Sequence, residues 1–377
     1  MANIKDVARL AGVSVSTASR VVRGEGYTSE EVRAKVERAA AELHYVPNAL
    51  ARSMRGRPTR MISFLVYDIV NPFFANLAAG VEDAAHEQGF TVVICSSHPW
   101  KDARREQTYV QMLLQSRIDG IVLQHIFSSL DYYNLLLRQG VPAARVLMPQ
   151  QGYQCDIVRC DTRQASCELI QHLIRLGHRR IAALGPQMPS HLGSDRLAGY
   201  QRAMAGAGLD DNEELILLEG WRTRDGYNMT HRLLDRTRPD AIFAFGPRIA
   251  AGAACALRER RLRVPEDIAL VCVDDFGMGS ELDPFMTIVR QPEREMGRQV
   301  AGLLIERILG AYTGEPREVV LPAQLVIRRS CGAGAWSCAM TKARKPSIAA
   351  GPPRPPGKVC RTTSPWRARA GSSPKPP

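Results

Sequence analysis

The chain has 377 residues, of which 45% are hydrophobic and 23% charged, so it is long enough for two or three domains with sizeable cores. No apolar run approaches the roughly 20 residues that a membrane span needs, and the N-terminus lacks the apolar stretch of a signal peptide, so we expect no membrane partner. Nine cysteines without paired spacing favour reduced thiols over a disulfide framework and predict a cytoplasmic protein.

The positive charge is concentrated at the two ends of the chain. Residues 1–60 hold 11 Lys/Arg against 6 Asp/Glu, and residues 331–377 hold 9 Lys/Arg and no acid. With a total of +12, the middle of the chain carries a net charge of −2. A basic N-terminal region on a near-neutral body is typical of a DNA-binding module joined to a domain with another role.

Two short helices open the chain. Apolar residues spaced three and four apart form one stripe on the first helix, which Gly12 ends. A second stripe marks the next helix. These two stripes consist of Ile4, Val7, Ala8 and Ala11, and of Ala18, Val21 and Val22. Two helices joined by a tight turn with glycine predict a helix-turn-helix, although an ordinary αα-hairpin has the same spacing.

The opposite face of the second helix carries the residues suited to reading DNA. They are Val15, Ser16, Ser19 and Arg20. Hydroxyls can donate to or accept from base edges, and arginine pairs with guanine or phosphate. In a helix-turn-helix this second helix enters the major groove.

A third helix and a short conditional helix follow. Thr28 and Glu31 predict a capping box, and the apolar residues from Val32 to Leu43 predict a core-facing stripe. Pro47 then breaks the helix and Asn48 is a good N-cap for two further turns. Such a short helix is unstable alone, so we expect it to order only against DNA or its own copy in a dimer.

From Met61 strands and helices alternate, which predicts parallel sheets covered on both faces. The predicted strands are 61–67, 90–95, 120–123, 157–160, 180–184, 215–218, 241–245 and 268–273. The predicted helices are 72–88, 101–117, 130–139, 164–176, 195–207, 224–235 and 249–260. About 270 residues exceed one doubly wound sheet, so we expect two lobes with a ligand cleft at the carboxyl ends of the strands.

These patterns divide the chain into four regions. We expect a helix-turn-helix headpiece over 1–46, a hinge helix and linker over 47–60, and a two-lobed α/β core over 61–330. Residues 331–377 are rich in Gly, Pro, Ser and basic residues without periodicity, which predicts a disordered tail.

Several collinear motifs resemble the family of the lactose, galactose and purine repressors. They are Asn3-Ile4-Lys5-Asp6-Val7-Ala8, Gly12 to Val21, Tyr45 to Ser53, Asn71-Pro72-Phe73-Phe74, Leu176 to Ile181, Arg196 to Tyr200, Val264 to Ile268, Asp274-Asp275, Arg290-Gln291-Pro292 and Glu295-Met296-Gly297. The resemblance spans residues 3–330. It implies a homodimer, or a tetramer built from dimers, that binds a roughly palindromic operator. The core would have two flavodoxin-like lobes like those of periplasmic sugar-binding proteins.

The resemblance also implies roles for residues of the N-terminal region. Val15 and Ser16 would read bases, with Thr17 and Arg20 on bases or phosphate. Ser19, Arg23 and Tyr27 would contact the DNA backbone. Asn48, Ala51 and Met54 would bring the hinge helix to the minor groove, where Met54 replaces the leucine wedge that many members use to kink the duplex. Packing between two hinge helices is the alternative for Met54.

In the core, the resemblance implies effector contacts across the cleft. Arg196 would hold polar ligand groups and Asp274 would accept ligand hydroxyls. Alternatives are a surface charge for Arg196 and a helix N-cap for Asp274. The further candidates are Phe73 and Phe74, otherwise core residues, Trp221, which lies near a family aromatic, and Asp161, otherwise a turn residue.

One departure from the family changes the expected ligand contacts. Gly246-Pro247-Arg248 stands where many members carry an Asn-Asp pair, which adds Arg248 as a candidate and favours a shift toward an anionic effector or weaker binding. Together these features predict a repressor controlled by a sugar or sugar acid, with double-stranded DNA and the effector as its partners and no cofactor.

Two other classes fit less well. A solute-binding protein without a DNA role would leave residues 1–60 unexplained. An α/β enzyme is disfavoured because the chain has no P-loop, no G-x-G-x-x-G after a strand and no G-x-S-x-G elbow. Cys155, Cys160, Cys167 and His172 match no zinc spacing, so buried thiols are the preferred interpretation and no metal is expected.

Overall fold

A computed structural model describes residues 2–22, 26–45, 59–97, 104–124, 130–148, 152, 154–187, 191–209, 212–277 and 283–333. The chain divides into two compact units, Met1–Trp336 and Ser337–Pro377, and the second lies entirely outside the described residues. The predicted hinge helix also lies outside them, as do Arg23 and most of the basic tail.

Three helices with a small common core form the N-terminal region. They are α1 Ile4–Ala11, α2 Val15–Val22 and α3 Glu30–Glu42. Asn3 caps α1 through a reciprocal capping box with Asp6, and Gly12 ends it in a left-handed conformation with φ 66°. The buried core consists of Val7, Ala8, Ala18, Val21, Val36 and Ala39. The predicted helix-turn-helix is therefore confirmed.

The predicted capping box of α3 is wrong. The helix begins at Glu30, its N-cap is Ser29, and no side chain caps it. Glu31 instead accepts a hydrogen bond from Lys35, one turn along, at 2.7 Å. The helix therefore starts beyond Thr28, and its first-turn glutamates face the positive end of the helix dipole.

Two six-stranded sheets form the core, which confirms the predicted two-lobed α/β fold. The strands of lobe 1 are β1 Met61–Val66, β2 Thr91–Ser96, β3 Gly120–Leu123, β4 Ala143–Val146, β5 Asp156–Cys160 and β11 Glu318–Leu321, in the order β11-β5-β4-β3-β1-β2. Those of lobe 2 are β6 Ile181–Gly185, β7 Ile216–Leu218, β8 Ala241–Ala244, β9 Ala269–Val273, β10 Thr287–Arg290 and β12 Gln324–Val326, in the order β12-β10-β9-β8-β6-β7. All pairs are parallel except β10 with β12.

Helices cover the sheets. They are α4 Pro72–Glu87, α5 Arg105–Gln115, α6 Leu130–Arg138, α7 Thr162–Arg175, α8 His191–Gly206, α9 Thr223–Arg236, α10 Pro247–Glu259 and α11 Glu293–Ile308. Buried residues form one cluster in lobe 2 and two in lobe 1. No helix among the described residues combines the length and apolar character needed to cross a membrane.

The chain passes between the lobes three times. It leaves lobe 1 after β5, returns to it between β10 and α11, and crosses again between β11 and β12. Three crossings side by side make a hinge, about which two lobes can open and close.

The core also extends beyond its expected limit at residue 330. A short 3₁₀ helix, Arg329–Cys331, closes lobe 2, and Cys331 is fully buried in its hydrophobic cluster. The described chain continues to Ala333. Loss of periodicity at Cys331 therefore marked the end of regular elements and not the end of the packed domain.

Candidate functional site

A cavity lies between the lobes at the carboxyl ends of their strands, the place where α/β folds bind ligands. It contains about 660 Å³ of space without protein atoms, part of it open to solvent. The lining residues follow β1, β4, β7, β8, β9 and β10 or lie on α4, α8 and α10. They are Tyr67, Asp68, Asn71, Phe73, Phe74, Leu147, Leu192, Arg196, Trp221, Arg222, Gly246, Pro247, Arg248, Asp274 and Gln291.

A buried network of polar side chains lies at one wall of this cavity. Arg196 is 3% exposed, and its Nη2 lies 3.4 Å from Asp274 Oδ2. Arg196 Nη1 donates to the Phe245 carbonyl, and Gln291 Nε2 donates to Asp274 Oδ1 at 2.7 Å. The guanidinium and the carboxylate therefore hold each other in fixed orientations toward the cleft.

The positions of Arg196 and Asp274 contradict the alternatives of a surface charge and a helix N-cap. Arg196 is not a surface charge. Asp274 caps none of the helices that the structure describes and takes a left-handed backbone conformation with φ 71°. Burial raises the pKa of Asp274, while Arg196 and Gln291 act to lower it. Burial lowers the pKa of Arg196, and Asp274 opposes that shift. The guanidinium keeps its proton, and its Nη2 lies within ion-pairing distance of the Asp274 carboxyl.

Aromatic rings supply the apolar part of the cavity wall. Trp221 lies over the Arg196 guanidinium, with 5.6 Å from Cζ to the ring centroid. Phe73 and Phe74 pack edge to face at 5.1 Å and also belong to the core of lobe 1. Each ring therefore borders the cavity and also fills the core, and contact with an effector stays a prediction.

Three polar atoms at this wall have no hydrogen-bond partner among the described residues. They are Arg196 Nε, Trp221 Nε1 and Gln291 Oε1. Two are donors and one is an acceptor. A buried polar atom without a partner costs about 1–3 kcal/mol, so a ligand that satisfies these atoms gains affinity.

Arg248 joins the two lobes. It lies at the start of α10 in lobe 2, and its guanidinium pairs with the carboxylate of Asp68, which follows β1 in lobe 1. Asp68 is 3% exposed and Arg248 is 38% exposed in their side chains. Arg248 thus contacts a fixed carboxylate across the cleft instead of replacing the family's amide or acid.

Asp161 lies outside the lining of the cavity. Its carboxylate caps α7 by accepting a hydrogen bond from the Gln164 backbone at 2.9 Å, and the residue is exposed. It lies at the first crossing between the lobes and makes the local contact expected of a turn residue.

Sequence reasoning missed several lining residues. They are Tyr67, Asp68, Asn71, Leu147, Leu192, Arg222 and Gln291. Asp68 and Asn71 could have been found, because polar residues directly after a buried strand lie at the ligand-binding edge. Gln291 could not, because the strand before it was not predicted.

The exposed face of α2 carries the candidate base-reading residues. Val15 is 44% exposed, and Ser16 and Arg20 are also exposed. The hydroxyl of Ser14 contacts those of Ser16 and Thr17, each at 2.8 Å.

The other predicted DNA contacts divide between described and undescribed residues. Ser19 is half-buried, and Tyr27 is 97% exposed in the loop before α3. Arg23, Asn48, Ala51 and Met54 lie outside the described part of the chain.

The cysteines that the structure describes are free thiols. Cys160 and Cys167 are buried, and Cys155 is half-buried. Within the described ranges no cluster of three or more His, Cys, Asp or Glu could hold a metal ion. His172 instead contacts the Cys331 sulfur at 3.4 Å.

Two family descriptions match the chain in the order that the fold shows. Residues 3–48 match the bacterial regulatory proteins of the lacI family, and residues 170–331 match a periplasmic binding protein-like domain.

Curated relatives extend the similarity over most of the chain. A relative called HTH-type transcriptional regulator DegA, from Bacillus subtilis (strain 168), is 34% identical over 330 residues, covering 87% of this chain and 97% of its own. The HTH-type transcriptional repressor PurR from Serratia proteamaculans (strain 568) is 32% identical, covering 89% and 98%. These relatives are transcriptional regulators and not enzymes.

Solved structures share the fold. A transcriptional regulator CelR–cellobiose complex is 32% identical with a TM-score of 0.67, covering 88% of this chain and all of that chain. The lac repressor dimer bound to operator and the anti-inducer ONPF is 26% identical with a TM-score of 0.76, covering 88% and 99%.

Proposed function

Because the chain belongs to the LacI family of bacterial regulatory proteins, which are DNA-binding transcriptional regulators, we propose that it is a homodimeric repressor controlled by an effector in the inter-lobe cleft. One observation carries the effector site. The buried Arg196–Asp274–Gln291 network borders the cavity and leaves polar atoms without partners beside an aromatic wall.

The DNA-binding surface is the exposed face of α2. Val15 offers methyl groups to a thymine, the hydroxyls of Ser16 and Thr17 reach base edges, and Arg20 pairs with guanine or phosphate. Ser19, Arg23 and Tyr27 contact the DNA backbone. Asn48, Ala51 and Met54 belong to a hinge helix in the minor groove, where Met54 acts as an apolar wedge.

The effector is a sugar or a sugar acid. A hydroxyl both donates and accepts, so it can satisfy Trp221 Nε1 and Gln291 Oε1, and the apolar face of a sugar ring packs on Trp221. A carboxylate on the ligand would compete with Asp68 for Arg248. The CelR structure contains cellobiose, which supports a carbohydrate in a cleft of this kind.

A second copy of the chain completes the protein. β2 is the edge strand of lobe 1 and exposes Ile94, and Met112 is exposed on α5. Uncovered apolar edges favour association. The operator-bound lac repressor dimer supports a dimer, and a tetramer built from dimers is compatible with this surface. The protein acts in the cytoplasm, where the nucleoid DNA lies.

Control of DNA binding follows from the three crossings of the chain between the lobes, about which the lobes can move. An effector that binds the closed and open arrangements of the lobes unequally shifts the population between them. In a dimer this shift changes the separation of the two hinge segments, and operator affinity changes with it.

Substitution of Arg20 tests the DNA-binding surface. We expect Arg20→Ala to weaken binding to a duplex selected by the wild-type protein by roughly 10- to 100-fold, because one bidentate base contact contributes about 1–3 kcal/mol. Met54→Ala should also weaken binding. Fluorescence anisotropy at fixed salt measures both.

Arg38→Ala provides the matched control, since Arg38 is exposed on α3 and its loss removes the same charge. It should change affinity much less than Arg20→Ala. Equal affinities of the wild-type protein and Arg20→Ala would contradict the assigned surface.

A thermal-shift screen of sugars, sugar acids and nucleobases tests the effector site. A true ligand raises the melting temperature with the logarithm of its concentration. Asp274→Asn should abolish that shift because it removes the charged acceptor of the buried network. A ligand that shifts both proteins equally would place the effector elsewhere.

A further inference from the structure

The linker from the N-terminal region enters the core through Thr59 and Arg60, directly before β1. We propose that Asp119 fixes the direction in which this linker leaves lobe 1, so that the positions of the DNA-binding heads follow the core. This inference rests on the proposed function, since it concerns how the core controls DNA binding.

Asp119 holds the end of the linker through three hydrogen bonds. Oδ1 accepts from the Thr59 backbone N–H at 2.8 Å and from the Thr59 hydroxyl at 3.0 Å, and Oδ2 accepts from the Arg60 N–H at 2.6 Å. The Thr59 hydroxyl also lies 3.0 Å from the Arg117 carbonyl. Thr59 is 7% exposed, so this contact is shielded from solvent.

Arg60, the residue after Thr59, is held in place by contacts of its own. Its backbone has φ 61°, a left-handed conformation that is unfavourable for a non-glycine residue. Its Nη1 donates to the Gln88 carbonyl at 3.0 Å, and its guanidinium lies 5.0 Å from the Phe90 ring centroid. The bend is therefore held by contacts of both the backbone and the side chain.

In lobe 2 an aspartate also accepts hydrogen bonds from two successive backbone N–H groups, but no linker begins there. Asp240 precedes β8 as Asp119 precedes β3, and its carboxylate accepts from the backbone N–H groups of Arg179 at 2.7 Å and Arg180 at 3.0 Å. There the held segment joins α7 to β6 inside one lobe. The same contact therefore has a purely local effect in lobe 2. In lobe 1 it holds Thr59 and Arg60, the root of the linker, where the linker joins the core.

The physical consequence concerns two linked binding heads. A linker free to rotate at its root samples many directions, so two heads could reach half-sites at several spacings. A linker with a fixed root presents the heads at one separation. Asp119 therefore contributes to discrimination between correctly and incorrectly spaced half-sites, beyond any contribution to stability.

The test uses the full chain and two duplexes. One is selected from a random pool by the wild-type protein, and the other carries two extra base pairs at its centre. We expect the wild-type protein to prefer the first duplex strongly, and Asp119→Ala to reduce the ratio of the two affinities by about tenfold or more. Asp119→Asn, which keeps one acceptor, should lie between them.

Asp240→Ala is the matched control, because it also removes an acceptor of two backbone N–H groups. It should lower the melting temperature without changing the affinity ratio. An unchanged affinity ratio in Asp119→Ala, or an equal fall of that ratio in Asp240→Ala, would overturn this inference and leave the proposed function untouched. If the wild-type protein selected no duplex, the proposed function would fail and this inference with it.

Discussion

At the scale of single residues, His178 of the motif Leu176 to Ile181 contacts Cys331 near the end of the core. Its Nε2 lies 3.1 Å from the Cys331 carbonyl oxygen, and its Nδ1 lies 3.7 Å from Asp240 Oδ1. Nε2 is within hydrogen-bonding distance of the Cys331 carbonyl, and protonation of the ring adds a charge attraction to the Asp240 carboxylate. The interaction with Asp240 raises the pKa of His178 above its usual 6.5, although burial opposes the shift.

This raised pKa predicts a pH-dependent contribution to stability. A folded-state pKa above the unfolded value stabilises the protein fully below pH 6.5, and the contribution is lost as pH rises through the raised pKa. His178→Gln should therefore lower the melting temperature more at pH 6 than at pH 9. The difference corresponds to at most about 1 kcal/mol, because Asp240 is partly exposed.

Thermal unfolding across this pH range measures the effect, and His86→Gln is its control, since His86 is exposed on α4. Burial lowers the pKa of the neighbouring His172, whose contribution has the opposite sign and is lost as pH falls. Comparison of each variant with the wild-type protein removes that background. A pH-independent difference for His178→Gln would rule out the charged pairing.

At the scale of elements, glycines decide how helices approach each other. A Cβ on Gly297 of α11 would lie 2.1 Å from the Leu77 carbonyl, and one on Gly80 of α4 would lie 2.0 Å from the Arg294 carbonyl. These two helices therefore pack backbone against backbone. Their contact covers one face of lobe 1 and positions Phe73 and Phe74 at the cavity.

Two glycines of α11 should respond in opposite ways to the same substitution. Gly297→Ala should destabilise the protein by about 1–3 kcal/mol because the helices must separate. Gly302→Ala should stabilise it by up to about 1 kcal/mol. Outside the neighbouring backbone of α11, no heavy atom of the described residues lies within 4 Å of the new Cβ, and alanine favours a helix. Urea unfolding measures both. Similar effects at the two sites would contradict the close approach of α4 and α11.

Most of the elements were predicted from their apolar pattern, and those that were missed lie in two places. β1 and α4 were predicted within one residue of their bounds because apolar residues repeat clearly along them. β4 was not assigned, since Arg145 interrupts a four-residue strand, yet Arg145 is 2% exposed. The segment from β10 to β12 was also missed. Its strands have three or four residues and cross between the lobes, but the omission also included the 16-residue helix α11, which length does not explain.

At the scale of the whole molecule, the Asp68–Arg248 pair connects lobes whose relative position is proposed to control DNA binding. The two residues are 180 positions apart in the sequence. Only Arg248 is partly open to water. The pair therefore favours the arrangement of the lobes that the structure shows. Removing one partner or the other has different costs, because only Asp68 is buried.

Breaking this pair should have unequal effects. Arg248→Gln removes a guanidinium that pairs with a buried carboxylate, whereas Asp68→Asn removes the carboxylate from an arginine that is partly open to water. We expect Arg248→Gln to cost about 1–2 kcal/mol more free energy of unfolding. The double variant should cost less than the sum, and denaturant titrations of all three complete the cycle. Equal costs for the two single variants would contradict a buried Asp68.

The sequence by itself determined the family, the helix-turn-helix, the alternation that makes two lobes, and Arg196 and Asp274 as cleft residues. These features follow from local periodicity and from motifs read in order along the chain. Only the tertiary structure decided that Arg248 pairs with Asp68, that Gln291 holds Asp274, and that Asp119 holds the root of the linker. Each of these contacts joins residues distant in sequence, and their geometry depends on how separate elements pack, which no local pattern encodes.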